Sequence, residues 1–403
     1  MDFLNLDNFK NILFEKDTTI IDTREACFFH GFKEKGALRG GHVKNALRLR
    51  SLWLERLKDK TPYFLYSKGA LSKNRIVLYG EKSEIKALKP FFKTPKILAF
   101  ENFMEYQNDF SNPLEKLKNY HYSLSPSLLY QKLQEEDCLI FEVGHASLKQ
   151  STEHVLGALY LDTDILESPP LYNLNPIEVL QEKLSELGVS KDSSVVLYSS
   201  SVIAALRVFF ILQYAGVKKV QFLDGGLEAW KNLNLPTSKH YKTPKRFFSA
   251  LKPCNSFYLS LESALKKQKK GYKLVSIRSW EEYQAQKNDY AYIERKGEIP
   301  GALWGFSGSH YSNACDFYNP DNTLRNPYEI YKLWEQQGFN RYDKVIFYCS
   351  TGWRGAVAWF YALLNGWDNA FLCDGGWHEY QSKGFIAREN ALKIPKPSAN
   401  NGY

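Results

Sequence analysis

The chain has 403 residues, of which 44% are hydrophobic and 15% aromatic, enough for the cores of several packed domains. Its net charge of +9 is spread along the chain, and the densest basic cluster, residues 266–270, is interpreted as the solvated end of a helix. The sequence has no basic stripe with interleaved aromatic residues and no apolar run near the roughly 18 residues of a membrane span, so neither nucleic-acid binding nor membrane insertion is expected.

The cysteines and histidines are isolated from one another. The six cysteines form no CxxC pair, and the eight histidines do not lie at metal-ligand spacings from them. We therefore expect reduced thiols, no metal site and no bound cofactor. The N-terminal segment has neither the basic start nor the apolar core of a secretory signal, which predicts a cytoplasmic protein, or a periplasmic one if a signal has been removed.

The first third of the chain predicts three buried strands separated by turns and helical stretches. Residues 19–22 are a short β-branched run ended by an acidic residue, and residues 75–79 and 96–100 are apolar runs of strand length. A glycine turn at residues 41–46 follows the first strand, and Gly80 follows the second.

The same order of strands and turns recurs in the middle of the chain. Residues 138–144 and 194–198 predict strands, the second of which leads into Ser199, and a third strand ends in Asp-Gly-Gly at residues 224–226. Helical stretches such as residues 177–187 lie between the strands. This alternation is typical of an α/β fold in which each domain has a mainly parallel sheet with helices on both faces.

The third copy of this pattern contains a cysteine in the setting of a nucleophile. The strand at residues 345–348 is followed by Cys349 and then, after Gly352, by an apolar, alanine-rich run that favours a helix. Backbone N–H groups in such a loop form a nest for an anion, and the helix dipole favours a thiolate. Arg354, five residues after the cysteine, adds a fixed positive charge. The loop predicts a nucleophilic thiol facing an anionic substrate, with a small buried hydrophobic residue as the alternative interpretation of Cys349.

Four short sequences in this third copy are similar to motifs of the rhodanese superfamily of sulfurtransferases. Residues 349–354 resemble its six-residue active-site loop, and residues 371–377 resemble its strand ending in Asp-Gly-Gly and an aromatic residue. Residues 297–302 resemble its Gly-His-Ile-Pro-Gly-Ala signature, and residues 274–278 resemble its strand ending in Asp-x-Arg. The four motifs follow one another in the order of the family.

Two residues depart from these motifs. Glu298 stands where the family has histidine, and Ser276 stands where it has aspartate. The second departure removes the usual local carboxylate partner of Arg278, so the surroundings of this arginine are expected to differ from those in the family.

The resemblance implies three tandem rhodanese-like domains, with boundaries at residues 1–118, 119–245 and 246–403. The layout is similar to that of three-domain bacterial thiosulfate sulfurtransferases. Only the third domain has the nucleophile, because the matching positions of the first two hold Gly80 and Ser199. We expect these two domains to be inactive and to serve as scaffold, partner surface or a wall over the third domain's site.

The resemblance also implies a reaction. Cys349 would attack the outer sulfur of thiosulfate, expel sulfite and hold the transferred sulfur as a persulfide, which cyanide, a small thiol or an acceptor protein then removes. Arg354 and Arg278 are implied anion-binding side chains, with a structural ion pair as the alternative for each. The rest of the implied substrate-binding loop consists of Ser350, Thr351, Gly352 and Trp353.

Other functions fit parts of the sequence. The uncharged pair Ser350 and Thr351 resembles the loop of 3-mercaptopyruvate sulfurtransferases, whereas typical two-domain thiosulfate enzymes carry basic residues there. A non-enzymatic persulfide carrier or interaction protein is a further alternative. A phosphatase or arsenate reductase relative is disfavoured, because those loops place the arginine one residue further from the cysteine than Arg354.

Several residues near the motifs are candidates for the walls of a pocket. Trp304, Trp353 and Trp377 adjoin the motifs, with core packing as the alternative for the first and the last. Residues 307–316 are a polar, glycine-containing insertion and are interpreted as a loop that could cover the site. Cys373 is predicted to be a core residue.

Overall fold

The computed structural model describes residues 2–92, 96–145 and 152–397, in which the elements repeat three times. The first part of the chain contains β1 (Asp2–Phe3), α1 (Leu6–Ile12), β2 (Thr18–Asp22), α2 (Ala26–His30), β3 (Leu47–Arg48), α3 (Ser51–Leu57), α4 (Thr61–Ser67), β4 (Arg75–Tyr79), α5 (Lys82–Leu88), β5 (Lys96–Phe100) and α6 (Phe103–Asn108). The second part contains β6 (Ser123–Leu124), α7 (Pro126–Glu135), β7 (Leu139–Gly144), β8 (His154–Val155), β9 (Leu159–Asp162), β10 (Glu167–Ser168), β11 (Asn173–Leu174), α8 (Ile177–Glu186), β12 (Ser194–Tyr198), α9 (Val202–Tyr214), β13 (Lys219–Leu223), α10 (Gly226–Asn232) and β14 (Thr237–Ser238). The third part contains β15 (Tyr258–Leu259), α11 (Leu261–Gln268), β16 (Lys273–Ser276), α12 (Trp280–Tyr283), β17 (Leu303–Trp304), α13 (Pro327–Gln336), β18 (Val345–Tyr348), α14 (Trp353–Leu364), β19 (Ala370–Cys373) and α15 (Gly376–Ser382).

Each part forms a five-stranded sheet, and the three sheets have the same strand order. The orders are β1-β5-β4-β2-β3, β6-β13-β12-β7-β9 and β15-β19-β18-β16-β17, and every pairing within them is parallel. Parallel strands need crossover connections, and helices provide most of them here. The predicted α/β fold, with mainly parallel sheets flanked by helices, is confirmed.

Two helices, α9 after β12 and α14 after β18, are buried on nearly all sides. Both α9 and α14 consist almost entirely of apolar residues, a composition that is stable in water only when a helix is covered all round. The two helices pack against each other through edge-to-face aromatic pairs. The ring centroids of Phe209 and Phe360 are 4.8 Å apart, and those of Phe210 and Trp359 are 4.9 Å apart.

In each sheet, a tyrosine ends the strand that is fourth in chain order, namely β4, β12 and β18. Tyr79, Tyr198 and Tyr348 are all 0–1% exposed. The hydroxyls of the first two accept hydrogen bonds from the amides of Val43 (3.0 Å) and Val155 (3.1 Å), in the segment after the second strand of each sheet. The same residue type therefore ties the centre of the sheet to the following turn in the first two copies.

The chain divides into two compact units. One consists of the first part up to His121 together with Asn319–Asn326, and the other runs from Tyr122 to Tyr318 and from Pro327 to Pro397. The second and third sheets belong to this second unit, so the boundaries expected at residues 119 and 246 stay predictions. Among the described residues, no helix has both the length and the apolar character required to cross a membrane.

Candidate active site

Cys349 lies at the carboxyl end of β18, a central strand of the third sheet, on the loop that opens α14. Its side chain is fully buried. Gly352 caps the helix with a φ of +82°, and a Cβ there would lie 2.8 Å from Nη1 of Arg207 and 2.9 Å from the carbonyl oxygen of Asp374. Only glycine fits this left-handed and crowded position without strain. The strand–loop–helix arrangement expected from the sequence is present.

The Asp-Gly-Gly sequence after β19 packs directly under this loop. The amides of Trp377 and His378 donate hydrogen bonds to the carbonyl oxygens of Cys349 (2.8 Å) and Ser350 (2.9 Å). Gly376 has a φ of +52°, and a Cβ there would lie 2.2 Å from the Cys349 carbonyl oxygen. The glycine pair therefore allows two backbones to approach closely enough to fix the loop.

The backbone amides of residues 350–354 are candidates for binding a ligand. Among the described residues, no backbone carbonyl outside the helix accepts a hydrogen bond from the amides of residues 350–354. Some of these amides belong to the first turn of α14, where N–H groups have no partner within a helix. Their position beside Cys349 suits an anion or a persulfide sulfur.

Arg354 points away from solvent and binds a buried carboxylate. Its Nη1 and Nη2 donate to the two carboxylate oxygens of Glu282, at 2.8 and 3.1 Å, and both side chains are fully buried. Burial by itself raises the pKa of Glu282, but Arg354 and Arg278 outweigh burial and hold this pKa well below its usual value. The arginine thus has the partner that its structural alternative requires, and its substrate-binding role stays a prediction.

Arg278 has a carboxylate partner in spite of the serine at position 276. Its Nη1 donates to the carbonyl oxygen of Gly297 (2.7 Å) and faces Glu298 at 3.4 Å, and its Nε lies 3.6 Å from Glu282. Its Nε and Nη2 have no hydrogen-bond acceptor among the described residues. Because the two guanidinium groups and the two carboxylates compensate one another, this cluster is close to electrically neutral.

In the third copy, the carboxylate that pairs with the arginine belongs to a loop residue and not to the end of the strand. In the first copy Asp22 at the strand end pairs with Arg24 at 2.6 Å. In the third copy Ser276 occupies the strand end, and its hydroxyl donates to Glu298 at 2.7 Å. The two departures from the family motifs are therefore one exchange, in which Glu298 replaces the missing aspartate as partner of Arg278.

This exchange predicts a compensating pair of substitutions. Ser276→Asp alone is expected to lower the free energy of unfolding by about 3 kcal/mol, because it buries a second carboxylate against Glu298. Adding Glu298→His should recover most of this loss, since the new aspartate can then pair with Arg278. Urea unfolding of the two single variants and the double variant measures the coupling. A double variant no more stable than Ser276→Asp would contradict the exchange.

A cavity of about 350 Å³ opens beside the loop. Residues of the second and third parts line it together, among them Ser201 and Thr351. Its walls are largely aromatic and contain His145, Tyr172, Tyr290, Tyr292, Tyr311 and Trp353. None of the described residues that line it is Asp, Glu, Lys or Arg.

Tyr290 connects the cavity to the buried loop. Burial raises the pKa of Tyr290 above its usual value; Arg354 opposes the rise, and the nearby Cys349 adds to it. The guanidinium of Arg354 lies 5.9 Å from the centre of the Tyr290 ring. The hydroxyl of Tyr290 is therefore a protonated, neutral group close to the thiol.

Of the other residues considered from the sequence, some line this cavity and some do not. Trp353, together with Tyr311 from the insertion at residues 307–316, belongs to its walls. Trp304 is not in the lining and packs on Trp280, with ring centroids 4.8 Å apart. Trp377, also outside the lining, packs under Arg278 at 5.0 Å.

Cys373 is a poor alternative nucleophile. It is 1% exposed, in the last position of β19, and burial raises its pKa to about 12. A thiol with such a pKa stays protonated near neutral pH.

The positions that match Cys349 in the other copies are built differently. A Cβ on Gly80 would lie 2.6 Å from Cγ of Arg24, so the first copy has no room for a nucleophile. In the second copy, Ser199 Oγ accepts a hydrogen bond from the amide of Ser201 at 3.1 Å and so stabilises the turn.

Two important residues were missed in the sequence. Glu282 is the glutamate of a complete capping box with Ser279, and the Ser-x-x-Glu spacing is a readable signal for the helix start, although not for its arginine partners. Tyr290 lies in a polar, irregular stretch whose only signal is the aromatic pair it forms with Tyr292.

The chain is similar to known proteins along most of its length. The family model described as rhodanese-like domain matches residues 125–233 and 260–383. The thiosulfate sulfurtransferase YnjE of Escherichia coli K12 is 32% identical over 379 residues, which cover 90% of this chain and 86% of that protein. The crystal structure of YnjE superposes with a TM-score of 0.85 at 30% identity and covers 97% of each chain.

Solved structures of a second protein, EanB, are equally similar. The wild-type EanB structure superposes with a TM-score of 0.88 at 30% identity, covering 97% of this chain and 98% of EanB. An anaerobic ergothioneine biosynthesis enzyme from Chlorobium limicola, in complex with its natural substrate trimethyl histidine, has a TM-score of 0.87 at 28% identity and covers 97% of this chain and 99% of that one.

The EanB structures include replacements of two residues whose distances in sequence from the persulfide cysteine can be compared with this chain. One has a cysteine persulfide in a tetrahedral intermediate state with ergothioneine. A threonine two residues after that cysteine is replaced in a complex with hercynine, and a tyrosine 59 residues before it is replaced in a complex with ergothioneine. In this chain, Thr351 and Tyr290 stand at the same two spacings from Cys349.

Proposed function

Because the chain belongs to the rhodanese-like domain family and is a sulfurtransferase of that family, we propose that Cys349 is the residue that carries the sulfur, as a persulfide. The observation that carries this proposal is the position of the thiol at the end of β18. It lies beside the amides of residues 350–354, which have no backbone acceptor outside α14 among the described residues. These N–H groups and the helix dipole would stabilise the anionic substrate and then the persulfide.

We propose thiosulfate as the sulfur donor, with 3-mercaptopyruvate as the alternative. The name of the E. coli relative supports thiosulfate. Attack of the Cys349 thiolate on the outer sulfur breaks the sulfur–sulfur bond and releases sulfite. Since Arg278 and Arg354 are compensated by Glu282 and Glu298, the loop amides would carry most of the binding of the donor's charge.

The aromatic cavity favours a second candidate function, sulfur transfer to trimethyl histidine. A quaternary ammonium group cannot donate hydrogen bonds, and proteins bind it with the faces of aromatic rings. The cavity offers such rings, and none of its described lining residues is Asp, Glu, Lys or Arg. Tyr290 and Thr351 match the residues replaced in the EanB complexes. Under this proposal, persulfide formation at Cys349 is unchanged, and only the acceptor differs.

Persulfide formation tests the first proposal. The protein is incubated with thiosulfate or with 3-mercaptopyruvate, the donor is removed, and peptides are weighed by mass spectrometry. We expect the peptide with Cys349 to gain one sulfur atom, faster with thiosulfate. No gain with either donor would contradict the proposal and favour the persulfide-carrier or interaction-protein alternative.

The loaded protein then tests the acceptor. Cyanide, a small thiol, trimethyl histidine and unmethylated histidine are offered separately, and loss of the persulfide is followed. If the cavity selects a quaternary ammonium group, trimethyl histidine should react at least about tenfold faster than histidine at equal concentration. Equal rates for these two compounds, with rapid transfer to cyanide or thiol, would contradict the second candidate function and support the first.

A further inference from the structure

The second part of the chain has Ser199 at the position that matches Cys349, and it contributes buried charges next to the Cys349 loop. Arg207, in the middle of α9, is fully buried and joins two carboxylates. Its Nε donates to Glu167 at 2.5 Å, and its Nη2 donates to Asp374 at 2.5 Å. Asp374 is the acidic residue of the Asp-Gly-Gly sequence that packs under the loop.

Both carboxylates also bind groups on the opposite side. The second oxygen of Glu167 accepts a hydrogen bond from Nε1 of Trp353 at 2.7 Å. The second oxygen of Asp374 accepts one from the amide of Leu174 at 2.8 Å. Glu167 and Leu174 belong to the β10–β11 hairpin, whose Tyr172 also lines the cavity.

Arg207 faces the loop backbone as well. Its Nη1 has no hydrogen-bond partner among the described residues, and it lies 2.8 Å from the position that a Cβ on Gly352 would take. The Arg207 guanidinium thus fills the space next to Gly352, which has the left-handed conformation. Glu167 binds the indole of Trp353, the next residue in the chain.

We propose that Glu167 and Arg207 are positioning residues for the Cys349 loop, so that the second domain completes an active site whose nucleophile lies in the third. The proposal rests on the proposed function of Cys349, because it concerns how the loop around that thiol is held. It requires no contact between these two residues and the substrate. Glu167 acts through the Trp353 indole, and Arg207 acts through Gly352 and Asp374.

The charge balance of this cluster predicts a dependence on pH. One arginine is shared by two buried carboxylates. Burial raises the pKa of Glu167 to about 7, because Arg207 offsets only part of its cost and Asp374 adds to it. The groups that face Glu167 are Arg207 from α9, Asp374 after β19 and the Trp353 indole of α14. Once protonated, Glu167 loses acceptor capacity towards Trp353 or Arg207, which should loosen the loop.

The test compares Glu167→Gln with the native chain and with Phe210→Leu. Phe210, on α9, packs against Trp359 of α14, and its ring lies 5.8 Å from the Arg207 guanidinium. Its replacement therefore weakens the same helix contact without removing a hydrogen bond of the network. The rate at which Cys349 gains sulfur from its donor is measured from about pH 6 to pH 8, where Glu167 titrates and an ordinary carboxyl does not. We expect Glu167→Gln to load about tenfold more slowly than native at the upper end of this range and to match the native chain at the lower end. Phe210→Leu should keep the native pH profile.

A second readout does not depend on activity. The indole N–H resonance of Trp353, identified as the one missing in Trp353→Phe, should shift in Glu167→Gln and stay in place in Phe210→Leu. If the native chain gains no sulfur, the proposed function fails. If it gains sulfur and Glu167→Gln loads at the native rate at every pH, or shows the same profile as Phe210→Leu, the positioning role alone is overturned.

Discussion

Replacing Cys349 with alanine should reduce sulfur transfer at least about a thousandfold, because removal of a covalent nucleophile eliminates the intermediate on which turnover depends. The side chain is small and buried, so the substitution leaves little space to collapse, and the fold should survive. The measurement is thiocyanate formation from thiosulfate and cyanide, with protein concentration and circular dichroism matched to the native chain.

The matched control for this variant is Cys373→Ala. Cys373 is equally buried and belongs to the neighbouring strand of the same sheet, but burial holds its thiol in the protonated form. We expect this control to retain the native rate within about twofold. Activity that survives in Cys349→Ala and disappears in Cys373→Ala would identify Cys373 as the nucleophile and overturn the proposed function.

Glu282→Gln should be among the most destabilising single changes in the third part of the chain. Glu282 is fully buried and is the carboxylate that binds both nitrogens of Arg354 and faces Arg278. Removing its charge leaves Arg278 paired with Glu298 and takes from the buried Arg354 the carboxylate that it binds, a situation that costs about 3–5 kcal/mol of unfolding free energy. A shift of the urea midpoint at unchanged slope measures this loss.

The neighbouring residue provides the control. Glu281 is on the same short helix, pairs with Lys396 across 3.7 Å and is partly exposed. Glu281→Gln should change the unfolding free energy by less than about 0.5 kcal/mol. Equal effects of the two substitutions would show that Arg354 does not depend on a buried carboxylate.

The ion pair between Glu282 and Arg354 determines how stability should change with pH. The pKa of Glu282 lies well below its usual value in the folded protein, because Arg354 and Arg278 outweigh burial. The folded state therefore holds fewer protons than the unfolded chain as pH falls below the usual glutamate range. The contribution of Glu282 is complete above that range and is lost as pH falls through the folded value, so Glu282→Gln should be less sensitive to acid than the native chain.

Local patterns were sufficient to predict the sheets and the loop. The strand before Cys349 is a run of four buried residues, and the helix after it is apolar all round, so each is readable without its neighbours. The partners of charged side chains were not readable. Arg354 is five residues from the cysteine in sequence, but its guanidinium binds Glu282, which is 72 residues away. Long-range pairs of this kind depend on how strands and helices meet, which periodicity does not encode.

The composition of the cavity was also beyond local patterns. Its lining comes from the second and third parts of the chain and includes irregular segments around Tyr172 and Tyr290, whose sequences suggest only exposed loops. The exchange between Ser276 and Glu298 was visible as two separate departures, but the hydrogen bond that links them requires the folded geometry.

The tyrosine that ends the fourth strand of each sheet separates two kinds of constraint on a duplicated chain. Tyr348 and Cys349 are adjacent, yet the first two copies retain Tyr79 and Tyr198 while the next position holds glycine or serine. A copy can thus lose its thiol and still assemble its sheet. Under the proposed function, a copy without the thiol can change its surface while its sheet stays folded. The hairpin with Glu167 and the helix with Arg207 are the parts of the second copy that would then support the Cys349 loop.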